Sequence, residues 1–303
     1  MDMIKKLLCF ICVFQVCSSR SLIADDTYWD SKLVRRYAHN SDLQRRWAWA
    51  FLASNLKQLR GDEHILDIGC GEGKITADIS MFVPRGFILG IDPSISMLDW
   101  ARKQYCTLEY PNLSFQEGGF LETNILGSFD IIISNCALQH CLNQYQAFGN
   151  LAKLLKPQGK LWLMIPAIDN GAWKQARKNI QSSSKWACYW QEILPRKFLT
   201  IEEYTELLKG VSLYPQRIEK IQTSDPFVDR EEFLDFLLGT LTPAVPADLD
   251  REFYNEIIDE YLRLLPDAMN NEGVIEARYG RIEIEAVYLP NADVNIGEYD
   301  ENN

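Results

Sequence analysis

The chain has 303 residues and a formal net charge of −11, with 47% hydrophobic and 24% charged residues. This is the composition of a globular protein whose core needs neither a metal nor a disulfide framework, and the acidic charge argues against a surface that follows nucleic-acid phosphates. No apolar run reaches 18 residues, so no membrane-spanning helix is expected in the body of the chain.

The first 24 residues have the pattern of a secretory signal. Two lysines precede a stretch, 7–17, that is apolar except for Gln15, and two serines follow it. Basic residues, a short apolar run and small residues in this order are typical of such signals. An ordinary apolar N-terminal helix, or a start codon set too early, is the alternative.

Cysteine usage points to a reducing compartment instead. Three of the eight cysteines lie within residues 1–24, which leaves five in the body of the chain with no CxxC pair among them. That pattern fits neither a disulfide framework nor a zinc site. No metal site is predicted, and the cytoplasm is the expected location, with secretion left open by the signal-like segment.

Strands and helices alternate over residues 41–165. In chain order, the hydrophobic spacing predicts helix 41–59, strand 64–68, helix 73–82, strand 87–92, helix 94–105, strands 112–116 and 129–133, helix 143–155 and strand 160–165. This alternation predicts an α/β protein with a doubly wound, mostly parallel sheet that has helices on both faces.

From residue 167 onward the pattern becomes mostly helical. It predicts helices 170–190, 201–210, 230–240 and 250–264, together with strands Tyr214–Ile221 and Arg281–Leu289, which bring the sheet to seven strands. The last strand alternates apolar and polar residues, as an antiparallel strand near a sheet edge does.

These elements predict one domain. Its core with an N-terminal lid helix spans residues 25–166, and a helical cap with the last two strands spans 167–290. The acidic tail, 291–303, is expected to be disordered.

A glycine-rich loop joins the first strand to the helix after it. Gly69, Gly71 and Gly73 directly follow the apolar stretch Ile65–Ile68. Glycines at such a turn let backbone amides approach a ligand where side chains would block it. A dinucleotide fingerprint would need glycine at position 74, which is Lys74, so a nicotinamide-dependent oxidoreductase is disfavoured.

The second predicted strand ends in Asp92, 19 residues beyond Gly73. This separation suits a strand–helix–strand unit in which the second strand-end carboxylate accepts hydrogen bonds from ribose hydroxyls. The alternative is an ordinary aspartate that starts a turn. The glycine loop at this spacing favours the ligand-binding interpretation.

The pattern D-x-G-x-G-x-G over residues 67–73 resembles the first motif of the class I S-adenosylmethionine-dependent methyltransferases. Segments 37–46, 134–140 and 155–160 resemble the trans-aconitate methyltransferase and malonyl-acyl-carrier-protein O-methyltransferase group, which methylates small-molecule carboxyl groups. The resemblance covers residues 28–166 and continues loosely through 198–236. No N-P-P-Y or D-P-P-Y tetrad follows the fourth strand, which argues against nucleic-acid or glutamine targets.

The resemblance implies S-adenosyl-L-methionine as the cofactor. The glycine loop and Asp67 would cradle its methionine part, Asp92 would hold the ribose, and Met97 would pack on the adenine. Tyr37 and Gln44 would close a lid over it from the N-terminal helix. The implied cofactor-binding residues are Tyr37, Gln44, Asp67, Ile68, Gly69, Cys70, Gly71, Asp92, Pro93, Met97, Glu117, Gly118, Asn135 and Cys136.

Two positions depart from the pattern that the resemblance implies. Gly119 stands where an aspartate would meet the adenine amino group, and Glu117 and Gln116 are the candidate replacements. His140 stands in place of a tryptophan that would follow Gln139. Both departures bear on specificity, and Gln139 and His140 are the candidate catalytic residues.

The expected reaction is methyl transfer to a small-molecule acceptor, with a carboxylate as the first choice. A carboxylate is ionised at neutral pH and needs no general base, only a cationic clamp such as Arg36 or Arg45. With His140 as base, a hydroxyl or amine acceptor is the alternative. A non-catalytic donor-binding or exported interaction protein is the third hypothesis, and the oligomeric state stays open.

Overall fold

The computed structural model describes residues 31–122, 125–167, 171–189, 196–241, 245–246 and 248–290. The signal-like segment, 1–24, and the acidic tail, 291–303, lie outside the described residues. No helix within the described ranges is both long and apolar enough to cross a membrane.

Seven strands form one sheet in the order β3-β2-β1-β4-β5-β7-β6. The first five pair in parallel, and β7 lies antiparallel between β5 and β6. The prediction of a mostly parallel sheet with an antiparallel last strand near its edge is confirmed. The strands are β1 (His64–Ile68), β2 (Phe87–Asp92), β3 (Leu113–Glu117), β4 (Phe129–Asn135), β5 (Leu155–Pro166), β6 (Leu213–Phe227) and β7 (Ile275–Tyr288).

Helices cover both faces of this sheet. Several begin at side-chain caps that their sequences supply; Thr200 and Glu203, for example, form a reciprocal capping box at the start of α7. The helices are α1 (Ser31–Asn40), α2 (Asp42–Leu56), α3 (Lys74–Ser80), α4 (Ile95–Gln104), α5 (Gln144–Leu154), α6 (Ala172–Gln181), α7 (Ile201–Lys209), α8 (Arg230–Thr240) and α9 (Asp250–Leu264).

The sheet separates two hydrophobic cores. Successive residues of a strand point to opposite faces, so Ile131 and Ile133 of β4 join the core beneath α2, α8 and α9, whereas Ile132 joins the core beneath α5 and α7. Both faces of β4 are apolar for this reason, as expected of a strand buried on both sides.

The last two strands are longer than their sequences predict. Predicted as Tyr214–Ile221 and Arg281–Leu289, they pair from Leu213 opposite Tyr288 to Phe227 opposite Ile275. β5 ends at Pro166, opposite Arg281, so the part of the β6–β7 pair beyond this point is a two-stranded ribbon that extends past the sheet. Its residues on β6 are largely polar, and their sequence therefore does not resemble a buried strand.

The region after β5 also differs from prediction. A single helix was expected over 170–190, but α6 ends at Gln181 and turns follow through Tyr189. Serines at 182–184 compete with the helix for backbone hydrogen bonds, and the Ser182 hydroxyl donates to the carbonyl of Lys178 at 2.7 Å. Trp186 in these turns is fully buried, and its indole donates to Glu256 of α9 at 2.6 Å.

Candidate functional site

The glycine loop lies at the carboxyl end of β1, and its first two glycines are required for different reasons. Gly69 has a φ of 75°, and a Cβ built on it would lie 2.2 Å from the Cβ of Ala137. Gly71 has a φ of 54°, but a Cβ there would meet nothing within 4 Å. Gly69 therefore permits close packing on the loop after β4, whereas the backbone at Gly71 faces open space.

Hydrogen bonds fix the loop to the end of β2. The amides of Gly69 and Cys70 donate to the carbonyl of Ile91 at 2.8 and 3.0 Å. The Asp92 carboxylate accepts the amide of Gly71 through one oxygen and the amide of Ser94 through the other, both at 2.9 Å. Direct hydrogen bonds thus join the loop to Asp92.

Three carboxylates lie in or next to the glycine loop; Asp67 and Glu72 are buried, and Asp92 is partly exposed. Burial raises the pKa of Asp67 to about 7, although the Thr76 hydroxyl donates to its carboxylate at 2.6 Å. Burial also raises the pKa of Asp92 to about 6 and raises that of Glu72, which accepts the Ser41 hydroxyl at 2.7 Å. A buried group of acids is costly to ionise, and a cationic ligand offsets that cost.

A small cavity that opens to solvent lies against the loop. It brings together seven of the predicted cofactor-binding residues from four parts of the sequence. These are Tyr37, Gln44, Asp67, Gly69, Cys70, Gly71 and Asn135. Ser41, Arg45, Glu72 and Ile75 also line it. Ser41 and Glu72 are not among the site residues predicted from the sequence, although an acidic residue inside the glycine loop is a signal for the latter.

Helices α1 and α2 are fastened over this cavity by polar contacts to the loop and to α3. The Lys74 ammonium donates to the carbonyl of Ala38, the hydroxyl of Ser41 and the carboxylate of Asp42 at 3.0 to 3.2 Å. Lys74, which occupies the position of the missing fingerprint glycine, therefore holds the junction between the two helices. Tyr37 and Gln44 reach the cavity from either side of that junction.

The two arginines of these helices that are predicted to clamp the acceptor carboxylate form ion pairs with other side chains instead. Arg45 makes a bidentate pair with Asp78 at 2.6 and 2.8 Å, and Arg36 pairs with Asp250 at 3.0 Å. Both contacts join helices to one another. Neither arginine has the geometry of an open clamp for an acceptor.

Most of the other residues predicted to bind S-adenosylmethionine lie near the ends of β2 and β3, outside the lining of the described cavity. Asp92 is opposite Glu117 in the sheet, and the amide of Gly118 donates to the carbonyl of Asp92 at 3.2 Å. Met97 is buried at the start of α4, and Pro93 is partly exposed. The side chain of Ile68 is buried in the core beneath α5 and α7, so only its backbone is near the loop.

Gly119 and Glu117 differ in surroundings as well as in side chain. A Cβ at Gly119 would lie 2.9 Å from a carboxylate oxygen of Glu122, so that acid already stands beside the position where the resemblance implies an aspartate. Glu117 is exposed at the end of β3. The assignment of Glu117 to the adenine amino group stays a prediction, and Glu122 is a second acid within reach of that region.

At the end of β4 the chain turns sharply around Cys136. This residue has a φ of 55° and its amide donates to the carbonyl of Met164 at 2.8 Å. The side-chain amide of Asn135 lines the cavity, and neither its oxygen nor its nitrogen has a hydrogen-bond partner among the described residues. Asn135 is therefore equipped to bind a ligand.

The two candidate catalytic residues lie in a 3₁₀ turn, Leu138–His140, that follows Cys136 in the chain. Gln139 is buried and its amide nitrogen donates to the carbonyl of Cys136 at 2.5 Å. His140 is partly buried, and desolvation, followed by the positive charge of Arg196, lowers its pKa to about 3. Neither residue lines the described cavity, and their catalytic roles stay predictions.

The five cysteines of the body, Cys70, Cys106, Cys136, Cys141 and Cys188, are free thiols. Within the described ranges, no group of three or more histidine, cysteine or acidic residues is arranged to hold a metal ion.

Comparison with known proteins identifies the family. Residues 59–223 match the family described as Methyltransferase domain. Juvenile hormone acid O-methyltransferase of Drosophila melanogaster is 27% identical over 254 residues, which cover 78% of this chain and 85% of that protein. Trans-aconitate 2-methyltransferase of Deinococcus radiodurans is 37% identical over 103 residues, which cover 34% of this chain and 38% of that protein.

The fold has counterparts among solved structures. Phosphoethanolamine N-methyltransferase 2 of Haemonchus contortus, in complex with S-adenosyl-L-methionine, superposes with a TM-score of 0.59 at 16% identity, covering 90% of this chain and 60% of that one. At this identity the likeness concerns the fold. Because the family match spans more than half of the chain, this chain belongs to the methyltransferase domain family and is a class I S-adenosylmethionine-dependent methyltransferase.

Proposed function

We propose that this chain transfers the methyl group of S-adenosylmethionine to a carboxylate of a small molecule, which gives a methyl ester. Two relatives support the choice of acceptor, since their names specify an acid O-methyltransferase and a trans-aconitate 2-methyltransferase. The nitrogen-methylating enzyme with a similar fold shares too little sequence to argue for an amine.

The donor's charge suits the glycine-loop side of the cavity. S-adenosylmethionine carries an ammonium and a sulfonium, and Asp67, Glu72 and Asp92 are acids that burial makes costly to ionise on their own. The open space at Gly71 admits a ligand against the backbone. We assign Asp67 to the methionine ammonium and Asp92 to the ribose hydroxyls.

The acceptor side needs no proton transfer in this reaction. An oxygen of the ionised acid forms a bond to the methyl carbon while the carbon–sulfur bond breaks, and the electron pair of that bond neutralises the sulfonium. The products are the methyl ester and S-adenosylhomocysteine. The protein contributes alignment and exclusion of water, which are worth up to about 7–11 kcal/mol of the barrier when the geometry is well held.

The observation that carries the choice of a carboxylate is the state of His140. With a pKa lowered to about 3 by burial, this imidazole is neutral at physiological pH and is a very weak base. An efficient general base has a pKa near the operating pH. A hydroxyl acceptor would need such a base, whereas a carboxylate does not.

The experiment is methyl transfer from labelled S-adenosylmethionine by the full chain, with octanoate, octanol and octylamine as matched acceptors. Label in a base-labile product that releases methanol, formed only from octanoate and related acids, is the expected result. Label in a base-stable ether or methylamine would instead support the hydroxyl or amine alternative. Binding of the donor with no labelled product from any acceptor class would support the non-catalytic hypothesis.

A further inference from the structure

A buried arginine that has no role in the proposed reaction lies on β7, one strand away from the end of β5. Arg281, on β7, is 5% exposed. It is opposite Pro166, the last residue of β5, and is therefore at the edge of the sheet where the strands that carry the site end. Arginine is rarely buried unless it is paired, so its partners decide what it does.

Only one edge of this guanidinium is occupied. The Nε of Arg281 donates to Oε1 of Glu283 at 2.8 Å, and the other oxygen of Glu283 accepts Nη1 of Arg217 at 2.9 Å. Among the described residues, the two terminal nitrogens of Arg281 have no hydrogen-bond partner. That outer edge, with two parallel N–H groups, is the edge that binds a carboxylate in bidentate fashion.

The position of Arg281 connects it to the cavity. The guanidinium lies 5.6 Å from the ring centroid of Trp47, which is one helical turn after the cavity residue Gln44 on α2. Its positive charge also acts on the thiol of Cys136, the residue after the cavity residue Asn135. Arg281 is therefore close to two elements, α2 and the end of β4, that each contribute a residue to the cavity lining.

The surroundings of Arg281 are otherwise aromatic. Tyr279, two residues earlier on the same face of β7, makes edge contacts with Trp47 and Trp173 at centroid distances of 5.6 and 6.4 Å. The Tyr279 hydroxyl is buried without a hydrogen-bond partner among the described residues. A single guanidinium edge available for hydrogen bonding, next to aromatic rings, suits a monocarboxylic acid with an apolar body better than a polyanion.

We propose that the outer edge of Arg281 binds the carboxylate of the acceptor, and that Trp47 and Tyr279 contact the apolar body of the same molecule. The proposal rests on the proposed function for the identity of the acceptor group, but acid binding and ester formation are separate measurements. Glu283 is then a positioning residue, because it holds Nε and turns the free edge outward.

The test measures binding to the full chain loaded with S-adenosylhomocysteine, by calorimetry, with decanoate and its uncharged analogue decanamide as probes. Wild type is expected to bind decanoate at least about tenfold more tightly, the size of a charge-assisted bidentate contact. The double variant Arg281→Gln/Glu283→Gln removes both buried charges together, which avoids leaving one unpaired. In it the preference is expected to fall below about twofold.

The matched control is Arg278→Gln/Asp267→Asn, which removes an exposed ion pair that also involves an arginine of β7. It is expected to keep the preference for decanoate. The proposal is overturned if wild type does not prefer decanoate, if the Arg281/Glu283 variant keeps the full preference, or if that variant also loses S-adenosylhomocysteine binding, which indicates a structural role. Preference for decanoate without ester formation from any acid would contradict the proposed function alone.

Discussion

The two sides of the cavity differ in the kind of charge that they carry. On the donor side, Asp67 and Asp92 are acids whose pKa values burial brings to about 7 and about 6, close to physiological pH. At the end of β4, which we assign to the acceptor side, burial lowers the pKa of His140 to about 3 and raises that of Cys136 to about 12. The acids of the donor side can therefore change protonation near physiological pH when a cation binds. Among the described residues, His140 and Cys136 on the acceptor side stay neutral in that pH range.

The two sides also differ in how their residues are brought together. The donor side is assembled from a loop and the strand ends next to it, within residues 67–94. The acceptor side depends on contacts between remote segments, such as the hydrogen bond from the Trp47 indole to Asp225 at 2.9 Å. Short-range motifs can encode the first arrangement, whereas the second requires the complete fold.

The largest expected effect concerns the contrast between two glycines of the donor side. Gly69→Ala should lower the free energy of unfolding by about 3 kcal/mol, because its Cβ overlaps Ala137 in a left-handed backbone conformation. Gly71→Ala should cost only about 1 kcal/mol, since its Cβ meets open space, yet it should weaken donor binding. Urea unfolding and calorimetric titration with S-adenosylmethionine measure the two effects; equal losses of stability would contradict this division.

The next largest effect is on donor affinity alone. Asp92→Ala removes the carboxylate that we assign to the ribose hydroxyls, and the dissociation constant for S-adenosylmethionine should rise about 100-fold, as expected for two hydrogen bonds to a charged group. Asp99→Ala, an exposed acid on α4, is the matched control and should leave the affinity unchanged. An Asp92→Ala protein that keeps its fold by circular dichroism and binds the donor normally would refute the assignment.

Donor binding should depend on pH with a defined sign. The raised pKa of Asp67 means that the free site holds a proton below about pH 7, and a cationic donor must displace it. Lowering the pH from 8 to 6 should therefore weaken S-adenosylmethionine binding about tenfold. The Thr76 hydroxyl lowers the pKa of Asp67, so in Thr76→Val the loss should begin at higher pH; an unchanged profile in that variant would contradict this origin.

The same shift has the opposite sign for stability of the free protein. The pKa of Asp67 rises from 3.8 to about 7 on folding, so the folded state binds the proton more tightly than the unfolded state. Its contribution to stability is fully present below about pH 4 and is lost as the pH rises through 7. Asp67→Asn keeps an acceptor for Thr76 without the charge and should remove this loss, which thermal unfolding at pH 5 and pH 8 measures.

The smallest expected effect is at His140. Because the proposed reaction moves no proton, His140→Asn should change the rate of transfer to an acid by less than about threefold, compared with the 100-fold or greater loss that follows removal of a general base. Single-turnover rates with saturating donor check this. A loss of 100-fold or more with the melting temperature unchanged would return His140 to the catalytic role that its sequence position suggests.

The contrast between local and remote contacts also explains what the sequence predicts well. Strands 64–68 and 87–92 are predicted to the residue because glycines and an aspartate mark their ends. The ribbon of β6 and β7 is predicted too short, because Thr223, Ser224 and Asp225 are polar and their pairing depends on a partner strand about 50 residues away.

The same limit applies within the site. The glycine loop and Asp92 follow from their spacing, Asp67 follows from the family resemblance, and the structure brings the three together. Spacing in the sequence does not reveal the hydrogen bond between Ser41 and Glu72 or the open edge of Arg281, because each depends on elements that only folding brings into contact. The sequence also does not reveal how deeply a residue is buried. His140 has the side chain of a general base, and only the structure shows the burial that lowers its pKa.

The measurement that tests the central claim most directly is the single-turnover rate of methyl transfer from saturating S-adenosylmethionine to the best acid substrate, between pH 6 and pH 9. Transfer to an acceptor that is already ionised should give a rate that changes by less than about twofold over this range. A rate that rises about tenfold for each pH unit below some midpoint would show that a base must take a proton during the transfer, and would contradict the proposed carboxylate acceptor.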